Sequence, residues 1–291
     1  MEPLTSIQCR DWDSPVAVDV QDRAIDAIES GRVLVFNDLP FAISESETPL
    51  ISPATAGQAK NVSWDGARRT LKGTSADAAD ADRLRGMLQR FASSTQTLLR
   101  HVLSPYADRI IPGRTSFRPV EAAGRTTSWR KDDTRLHVDS FPSNPVRGRR
   151  ILRVFSNVNP LGRPRTWKLG GDFEETARRF LPSLTPPWPG SAALLRLLSV
   201  TKSRRTEYDH YMLQLHDRMK SDPAYQAGPG HVMCDFAAGS TWAVFTDQAP
   251  HAALGGQFLL EQTFYVPVEV MREPARSPLR VLERLMGRKL V

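Results

Sequence analysis

The sequence predicts a mainly β fold with flanking helices, built as one elaborated domain over residues 1–291. Short runs rich in β-branched and aromatic residues, such as Ile151–Phe155 and Thr241–Phe245, are typical of buried strands. By contrast, residues 77–103 repeat their large apolar side chains at helical spacing. With 291 residues and 40% hydrophobic content, the chain is long enough to bury a sizeable single core.

Taken in order, the elements alternate between strand and helix patterns. Residues 15–60 mix short apolar runs with Pro and Gly, which predicts strands and loops. Residues 77–103 are predicted to form a long amphipathic helix packed on a sheet. Strand character follows over 135–159. Residues from about 160 to 230 carry several prolines and two helical patterns, the second from about Thr206 to Lys220, and are predicted to be a helical insertion. Strands resume at His231 and continue to Val266.

The last predicted element is an amphipathic helix at about residues 277–290. Four basic residues recur at every fourth position and form one stripe: Arg276, Arg280, Arg284 and Arg288. Leucines lie on the other side of the helix. Two hypotheses remain open for this helix. It lies in an anionic membrane interface, or it packs its leucine face on the core and leaves the arginines in solvent.

Composition bounds the partners and the compartment. The formal charge of +7 and the isoelectric point near 9.7 favour a polyanionic partner: nucleic acid, phospholipid headgroups or an acidic substrate. A basic nucleic-acid-binding protein without catalysis is therefore one hypothesis, but no helix-turn-helix, zinc-finger or RNP-like motif supports it. Two distant cysteines, Cys9 and Cys234, cannot form a disulfide framework. With neither a secretory signal nor an apolar spanning stretch in the sequence, we expect a cytoplasmic protein, with a peripheral position at the inner membrane if the terminal helix binds lipid.

Three residues have the spacing of a metal site. His137 and Asp139 are two apart on a predicted strand, so their side chains share one face. His251 lies just past the predicted strand Thr241–Phe245, where a distal ligand could meet them. Two histidines and one carboxylate form the facial triad that suits iron(II) and leaves positions open. The alternatives are a chance pair on a surface strand, and His231 in place of His251.

Longer motifs around these residues resemble those of a known family. The segments Trp129–Pro142, Arg153–Pro160, His251–Ala253 and Gln262–Phe264 are similar to those of the 3-deoxy-D-manno-oct-2-ulosonic acid (Kdo) 3-hydroxylases, and the resemblance covers most of the chain. It implies a double-stranded β-helix, a jelly-roll or cupin-like barrel, holding Fe(II) at His137, Asp139 and His251. The implied reaction uses 2-oxoglutarate and O2 to hydroxylate the 3-position of a Kdo sugar in the lipopolysaccharide inner core, with a lipid-linked acceptor of the Kdo-lipid A type.

The residues that would bind the cosubstrate depart from the pattern of the wider superfamily. Many 2-oxoglutarate enzymes bind the far carboxylate with an Arg shortly beyond the distal His, yet Leu254–Val270 contains neither Arg nor Lys. We therefore expect the clamp on the strand after Asp139, with Arg153 first and Arg150 second. Gln262 is a neutral alternative. Asn157 either contacts the cosubstrate or shapes the turn before Pro160.

An acidic sugar needs cations near the metal. Arg130, Lys131 and Arg135 precede the first ligands, so they either meet the sugar or form a solvated basic loop. Asn159 is a further candidate for the sugar, or a turn residue like Asn157. Two broader alternatives remain: an oxygenase of the same fold acting on another small or lipid-linked substrate, and a barrel-shaped binding module without catalysis.

Overall fold

The computed structural model describes residues 2–124 and 127–291 as a mixed α/β fold with two largely antiparallel sheets. The strands are β1 Leu4–Ser6, β2 Val33–Phe36, β3 Val62–Asp65, β4 Thr70–Lys72, β5 Ile111–Arg118, β6 Arg150–Asn157, β7 Arg165–Leu169, β8 Val232–Phe236, β9 Thr241–Phe245, β10 His251–Gly255 and β11 Leu259–Val266. The α-helices are α1 Val18–Glu29, α2 Ala78–Val102, α3 Phe173–Phe180, α4 Ser191–Leu197, α5 Glu207–Ser221, α6 Pro223–Gln226 and α7 Pro278–Met286.

The larger sheet has the strand order β1-β2-β9-β6-β11-β5-β3-β4, and only its β1–β2 pair is parallel. The smaller sheet has the order β10-β7-β8 and is antiparallel throughout. Aromatic side chains from both sheets pack against each other, with Phe155 and Trp242 from the larger sheet beside Trp167 and Phe236 from the smaller. The space between the sheets is therefore an apolar core over part of its length.

Helices α1 and α2 cover the outer face of the larger sheet. The prediction of a helix over residues 77–103 is confirmed, and Asp77 caps its start by accepting a hydrogen bond from the amide of Asp80 at 2.8 Å. The prediction of only strands and loops over 15–60 is wrong, because Val18–Glu29 forms α1. The apolar stripe of this helix is short, and tertiary packing of Ile25 and Ile28 against the sheet stabilises it.

A second group of helices lies at the other side of the molecule, where α3, α5 and α7 pack around Leu136, Val138 and Ile151. The predicted helix near Thr206–Lys220 is confirmed as α5, which begins with a capping box formed by Thr206 and Asp209. The segment for which a helical insertion was predicted also contains a strand, β7. Its residues alternate between buried and half-buried, the pattern of a strand with one face on a core.

The C-terminal helix packs on the core, as the second of its two hypotheses states. Leu279 and Leu282 of α7 are buried in the same cluster as the α3 and α5 side chains. The predicted basic stripe is engaged by acids of this chain, with the pairs Arg276–Asp26, Arg280–Glu283, Arg284–Glu174 and Arg288–Glu207. The leucine face of this helix is thus already covered by protein. Among the described residues, no helix combines the length and apolarity needed to cross a membrane.

Candidate metal centre

His137 and Asp139 reach one cavity because the backbone around them is extended. Leu136 and Val138 are fully buried in the helical cluster, and the alternate side chains of His137 and Asp139 therefore point the other way. The predicted strand is in fact a single bridge: the amide of His137 donates to the carbonyl of His251 at 3.0 Å, and the amide of His251 returns the bond at 2.9 Å. Too few ladder bonds form here for a regular strand.

His251 is the first residue of β10, rather than a residue just past a strand end as the sequence predicted. Its ring stacks on Trp167 with centroids 5.1 Å apart, and its centroid lies 4.7 Å from that of His137. One ligand atom from each of His137, Asp139 and His251 lies within 4.8 Å of the others, and all three residues are buried. In the described part of the chain, no other group of His, Cys, Asp or Glu side chains meets this criterion.

Hydrogen bonds orient both imidazoles for metal binding. Nδ1 of His137 lies 2.7 Å from the carbonyl of Arg135, and Nδ1 of His251 lies 2.9 Å from the carbonyl of Ala249. A carbonyl only accepts, so both Nδ1 atoms carry the proton and each Nε2 keeps a lone pair. Burial lowers the pKa of His137 well below its ordinary value, and burial likewise lowers the pKa of His251. Both rings are therefore neutral near pH 7, the form that binds a metal.

Asp139 supplies the negative charge of the site. Burial on its own would raise the pKa of this carboxyl, but the guanidinium of Arg153, at 3.1 Å, together with the two imidazoles and a hydrogen bond from Thr246, holds the pKa below its usual range. Its Oδ2 is buried and makes no hydrogen bond of good geometry, although it is close to Arg153. Two neutral nitrogens and one carboxylate fit Fe(II) with open positions, so the residues present match the group that the sequence predicts.

A cavity of about 190 Å³ opens beside these three residues. Four cationic side chains line it, Lys60, Arg118, Arg153 and Arg165, with three acidic ones, Asp133, Asp139 and Glu261. Apart from His137 and His251, the rest of the wall is apolar and consists of Phe155, Trp167, Ala253 and Leu259. With two neutral imidazoles, the lining has a small positive excess before any metal binds. Such a cavity favours anionic ligands, while its aromatic side limits access of water.

Cross-strand neighbours on β5, β6 and β11 build the charged side of this cavity. Glu261 lies 3.2 Å from Arg153 and 2.6 Å from Arg118 in ion pairs. Both contacts are diagonal in the sheet, because Glu261 is opposite Phe155 and Ser116, two residues from each arginine. Burial opposes ionisation of Glu261, but the two arginines lower its pKa below the ordinary value. Asp133 extends the network through ion pairs with Lys60 and Arg118.

Of the predicted cosubstrate residues, the structure brings Arg153 to the cavity but not Arg150 or Gln262. Arg150 lies on the opposite face of β6, fully buried, where it pairs with Asp247 at 2.8 Å and donates to Gln248. Gln262 lies on the helix-covered face of β11 and accepts a hydrogen bond from Thr115. Neighbouring residues of a strand face opposite sides, which separates Gln262 from Glu261.

The two asparagines shape the chain where β6 ends, as one of their hypotheses states. Asn157 donates from its amide to the carbonyls of Arg163 and Phe236, both at 3.0 Å, and accepts from the amide of Asn159. Asn159 accepts from the amide of Leu161 at 2.9 Å. These contacts hold the turn after β6 together and join it to β8. Neither residue lines the cavity beside the metal ligands.

The three basic residues before the metal ligands also lie away from the cavity. Arg130 is exposed, pairs with Asp217 at 2.9 Å and stacks over Trp129. Lys131 is exposed, and Arg135 donates to Asp132 and to the carbonyl of Lys220. None of the three therefore lies beside the metal ligands: Arg130 and Lys131 are solvated, and Arg135 is held by its contacts with Asp132 and Lys220.

The remaining histidines do not join the metal ligands. His231, the reserve candidate, is half-buried beside Tyr225 before β8. His210 lies 3.0 Å from the carbonyl of Thr185. His216 does approach the site, because its ring contacts that of His137 edge-on with centroids 5.3 Å apart. Its Nδ1 lies 2.9 Å from Asp217, so it forms part of the wall behind His137.

Sequence reasoning missed most of the charged lining. Lys60, Arg118, Arg165 and Glu261 all face the cavity, and none of them was proposed. Glu261 carried a usable signal, because an acid inside the apolar run from Leu259 to Val266 is unusual unless it is paired. Arg118 and Arg165 occur at a strand end and a strand start, where a charged residue is ordinary and carries no signal.

Comparisons with known proteins agree with this site. A family described as 3-deoxy-D-manno-oct-2-ulosonic acid (Kdo) hydroxylase matches residues 11–289. The chain is also similar to solved structures of the Kdo hydroxylase KdoO, described as a non-haem Fe(II) α-ketoglutarate-dependent dioxygenase. Identity is 46% with a TM-score of 0.96 for its complex with α-ketoglutarate and Fe(III), and 47% with 0.97 for its apo form. Each comparison covers 100% of this chain and 98% of that chain. No curated protein matches the chain.

Proposed function

Because the chain belongs to the Kdo hydroxylase family of Fe(II)/2-oxoglutarate-dependent dioxygenases and hydroxylates Kdo, we propose that it acts on the 3-position of a lipid-linked Kdo in the lipopolysaccharide inner core. The observation that carries the proposal is the buried set of His137, Asp139 and His251, whose ligand atoms lie within 4.8 Å of one another. The 3-position and the lipid-linked form rest on the resemblance of the motifs, and the charge of the cavity supports an acidic substrate.

The proposed architecture is a double-stranded β-helix. The proposal is supported by the alternation of consecutive segments between the two sheets. Strand β5 belongs to the larger sheet, the segment of His137 bridges to the smaller sheet, and β6 belongs to the larger sheet again. Then β7 and β8 belong to the smaller sheet, β9 to the larger, β10 to the smaller and β11 to the larger. Such alternation puts the two metal-ligating segments side by side on one sheet.

In this proposal, His137, Asp139 and His251 hold Fe(II). When bound with 2-oxoglutarate, the iron supplies the oxygen chemistry of the hydroxylation. The carbonyls of Arg135 and Ala249 fix the tautomer of both imidazoles by accepting hydrogen bonds from their Nδ1 atoms. Asp139 supplies a negative charge. The rings of Trp167 and Phe155 keep water from one side of the site.

We propose that two arginines bind 2-oxoglutarate. Arg153 is next to Asp139 and thus close to the metal-binding end of the cosubstrate. Arg165 lies two residues before Trp167 on β7, on the same face, and Trp167 stacks on His251. Same-face residues of a strand are roughly 6.6 Å apart, which is the scale of a five-carbon diacid. We therefore assign the far carboxylate to Arg165 and the end near the metal to Arg153.

The first test of this assignment is the requirement for 2-oxoglutarate. Arg153→Ala and Arg165→Ala are each expected to raise the half-saturating 2-oxoglutarate concentration by roughly 10- to 150-fold, the equivalent of about 1.5–3 kcal/mol for a charge-assisted hydrogen bond. Decarboxylation measured against 2-oxoglutarate concentration gives the value, with Arg163→Ala as the control because Arg163 is exposed and near Arg165 in sequence. Only Arg153→Ala should also weaken iron binding. An unchanged requirement in both variants refutes the clamp.

The substrate is proposed to enter through a wider groove of about 710 Å³ that shares Arg118, Arg153 and Glu261 with the metal cavity. Its outer part adds further cations, among them Arg114 and Lys202. A Kdo sugar carries a carboxylate, so a groove lined by guanidinium and ammonium groups complements it. This groove replaces the loop of Arg130, Lys131 and Arg135 as the proposed sugar site.

The decisive experiment is mass spectrometry of the product. The purified protein with Fe(II), 2-oxoglutarate and Kdo-lipid A is expected to add one oxygen to a Kdo residue, with matching succinate formation. Fragmentation and nuclear magnetic resonance of the released sugar then locate the hydroxyl. A hydroxyl at another carbon corrects the proposed position, and oxidation of only a different acceptor would favour the alternative of a related oxygenase with another substrate.

A further inference from the structure

An exposed apolar surface lies outside the metal cavity, on the segment between α3 and α5. Five large side chains of residues 188–200 are 49–84% exposed: Trp188, Leu194, Leu197, Leu198 and Val200. Single exposed apolar residues are ordinary on a protein surface, whereas a cluster within so short a segment marks an interaction site. We call residues 188–200 the docking segment.

The helix in this segment faces the wrong way for core packing. Leu194, Leu197 and Leu198 recur at the helical spacing of one face, running from α4 onto the residue that ends it, and they are 55%, 80% and 63% exposed. Leu195, on another face, is half-buried and lines a groove beside the C-terminal residues. An amphipathic helix normally turns its apolar stripe to the core, so an outward stripe implies an apolar partner outside this chain.

The surroundings of the docking segment are predominantly basic, although Glu207 lines the groove that Trp188 and Leu195 share. Residues 176–206 contain no Asp or Glu. They contain six basic residues: Arg178, Arg179, Arg196, Lys202, Arg204 and Arg205. Arg147 and Lys289 approach the segment from other parts of the chain, where they line the same groove as Trp188 and Leu195. Exposed Leu and Trp side chains flanked by cations have the composition that partitions into an anionic lipid interface.

The docking segment is also tied to the entrance of the proposed substrate groove. The amide of Lys202, just past the segment, donates to the carbonyl of Ser143 at 3.0 Å. Arg205 donates to the carbonyl of Pro142 at 2.7 Å. Lys202, Pro142 and Ser143 all line the groove that reaches Arg153 beside the metal ligands. A lipid surface against the segment would therefore lie at the mouth of the groove.

We propose that residues 188–200, with their flanking cations, dock the protein on an anionic phospholipid interface and so present the groove to a lipid-linked sugar. The inference rests on the proposed function only for the statement that docking serves a lipid-linked sugar. The docking surface itself is defined by exposure and charge. It also replaces the C-terminal helix as the membrane contact. The leucine face of that helix is covered by protein, and the apolar stripe of the docking segment is not.

Vesicle binding of the full chain tests the proposal. We expect cosedimentation with vesicles of phosphatidylglycerol and phosphatidylcholine, little with phosphatidylcholine alone, and a loss at about 0.5 M salt because screening weakens the charge term. Leu197→Ser with Leu198→Ser should lower the bound fraction about tenfold or more, since it removes the centre of the apolar stripe. The matched control is Val18→Ser with Leu161→Ser, whose side chains are 72% and 66% exposed elsewhere.

Two further measurements keep the outcome decisive. All four substituted side chains are exposed, so thermal unfolding should be unchanged in both double variants. Turnover on a delipidated, water-soluble Kdo oligosaccharide should also be unchanged in both, which separates docking from catalysis. Vesicle binding without Kdo hydroxylation would refute the proposed function and leave the docking surface standing.

The proposal is overturned by any of three results. Wild-type protein does not bind anionic vesicles, or the Leu197→Ser/Leu198→Ser variant binds them as well as the wild type does. Alternatively, size-exclusion chromatography shows a dimer that this variant alone converts to a monomer while no form binds vesicles. The last result would mean that the docking segment joins two copies of the chain.

Discussion

Replacing His137, His251 or Asp139 by alanine is expected to abolish turnover. Each variant leaves two of three protein ligands, and loss of even an outer-shell partner of a metal typically costs about 10- to 100-fold. We therefore expect a loss of more than about 100-fold in 2-oxoglutarate decarboxylation, together with loss of bound iron after anaerobic loading. Circular dichroism should be unchanged, because the backbone bridge between residues 137 and 251 does not depend on the side chains.

The matched control for this series is His231→Ala. His231 is half-buried, lies before β8 and contacts Tyr225, so it should keep iron and activity. Full iron-dependent activity of His251→Ala, with loss of activity in His231→Ala, would show that the distal ligand has been misassigned. Loss of secondary structure in all three ligand variants would instead mean that the site is needed for folding.

Asp247→Ala is expected to give the largest loss of stability. Asp247 and Arg150 form an ion pair at 2.8 Å in which the side chains are only 1% and 0% exposed. Without Asp247, the guanidinium stays buried and charged, because an arginine does not lose its proton in a protein. Breaking such a pair typically costs about 3–5 kcal/mol in the free energy of unfolding. Urea titrations at pH 7 measure it, with Asp82→Ala, half of an exposed pair with Arg85, as the control expected near zero.

The reciprocal variant, Arg150→Met, should cost less than Asp247→Ala. Burial already raises the pKa of Asp247 above its ordinary value despite the opposing effect of Arg150, so the remaining carboxyl can take a proton. A raised carboxyl pKa in the folded state favours folding at low pH. The loss of stability in Arg150→Met should therefore grow as the pH rises from about 4, the ordinary range of a carboxyl, towards neutrality. Equal costs for the two variants at every pH would contradict this account.

The sequence predicted the elements that have strong periodicity and the ligands that have strong spacing. Helices α2 and α5 and strands β6 and β9 were predicted from their patterns, and the structure brings His137, Asp139 and His251 together as that spacing indicated. Helix α1 was missed because its buried apolar residues fall in a run of only five positions, from Ala24 to Ile28. The burial that stabilises it comes from the sheet and is not visible in the local sequence.

Apart from Glu261, the charged lining could not be predicted, for a different reason. Period-two alternation shows that Arg150 and Arg153 face opposite sides of their strand, but it does not show which side holds the metal. Which face of the strand holds the metal depends on strand order. The order places Glu261 diagonally opposite Arg153 and also brings Arg118 next to Glu261. Arg165 likewise reaches the cavity only through the pairing of β7 with β10. These are long-range pairings, and one sequence does not encode them in any local pattern.

The backbone bridge between His137 and His251 has a consequence for how this site tolerates change. Because the two residues exchange both main-chain hydrogen bonds, the main chain fixes the separation of the two imidazoles, independently of the length of the loops around them. Insertions after Asp139 or between β7 and β8 can therefore remodel the entrance without displacing the ligands. The chain thus separates a fixed metal-binding frame from a variable rim, and a change of acceptor would require new loops rather than a new centre.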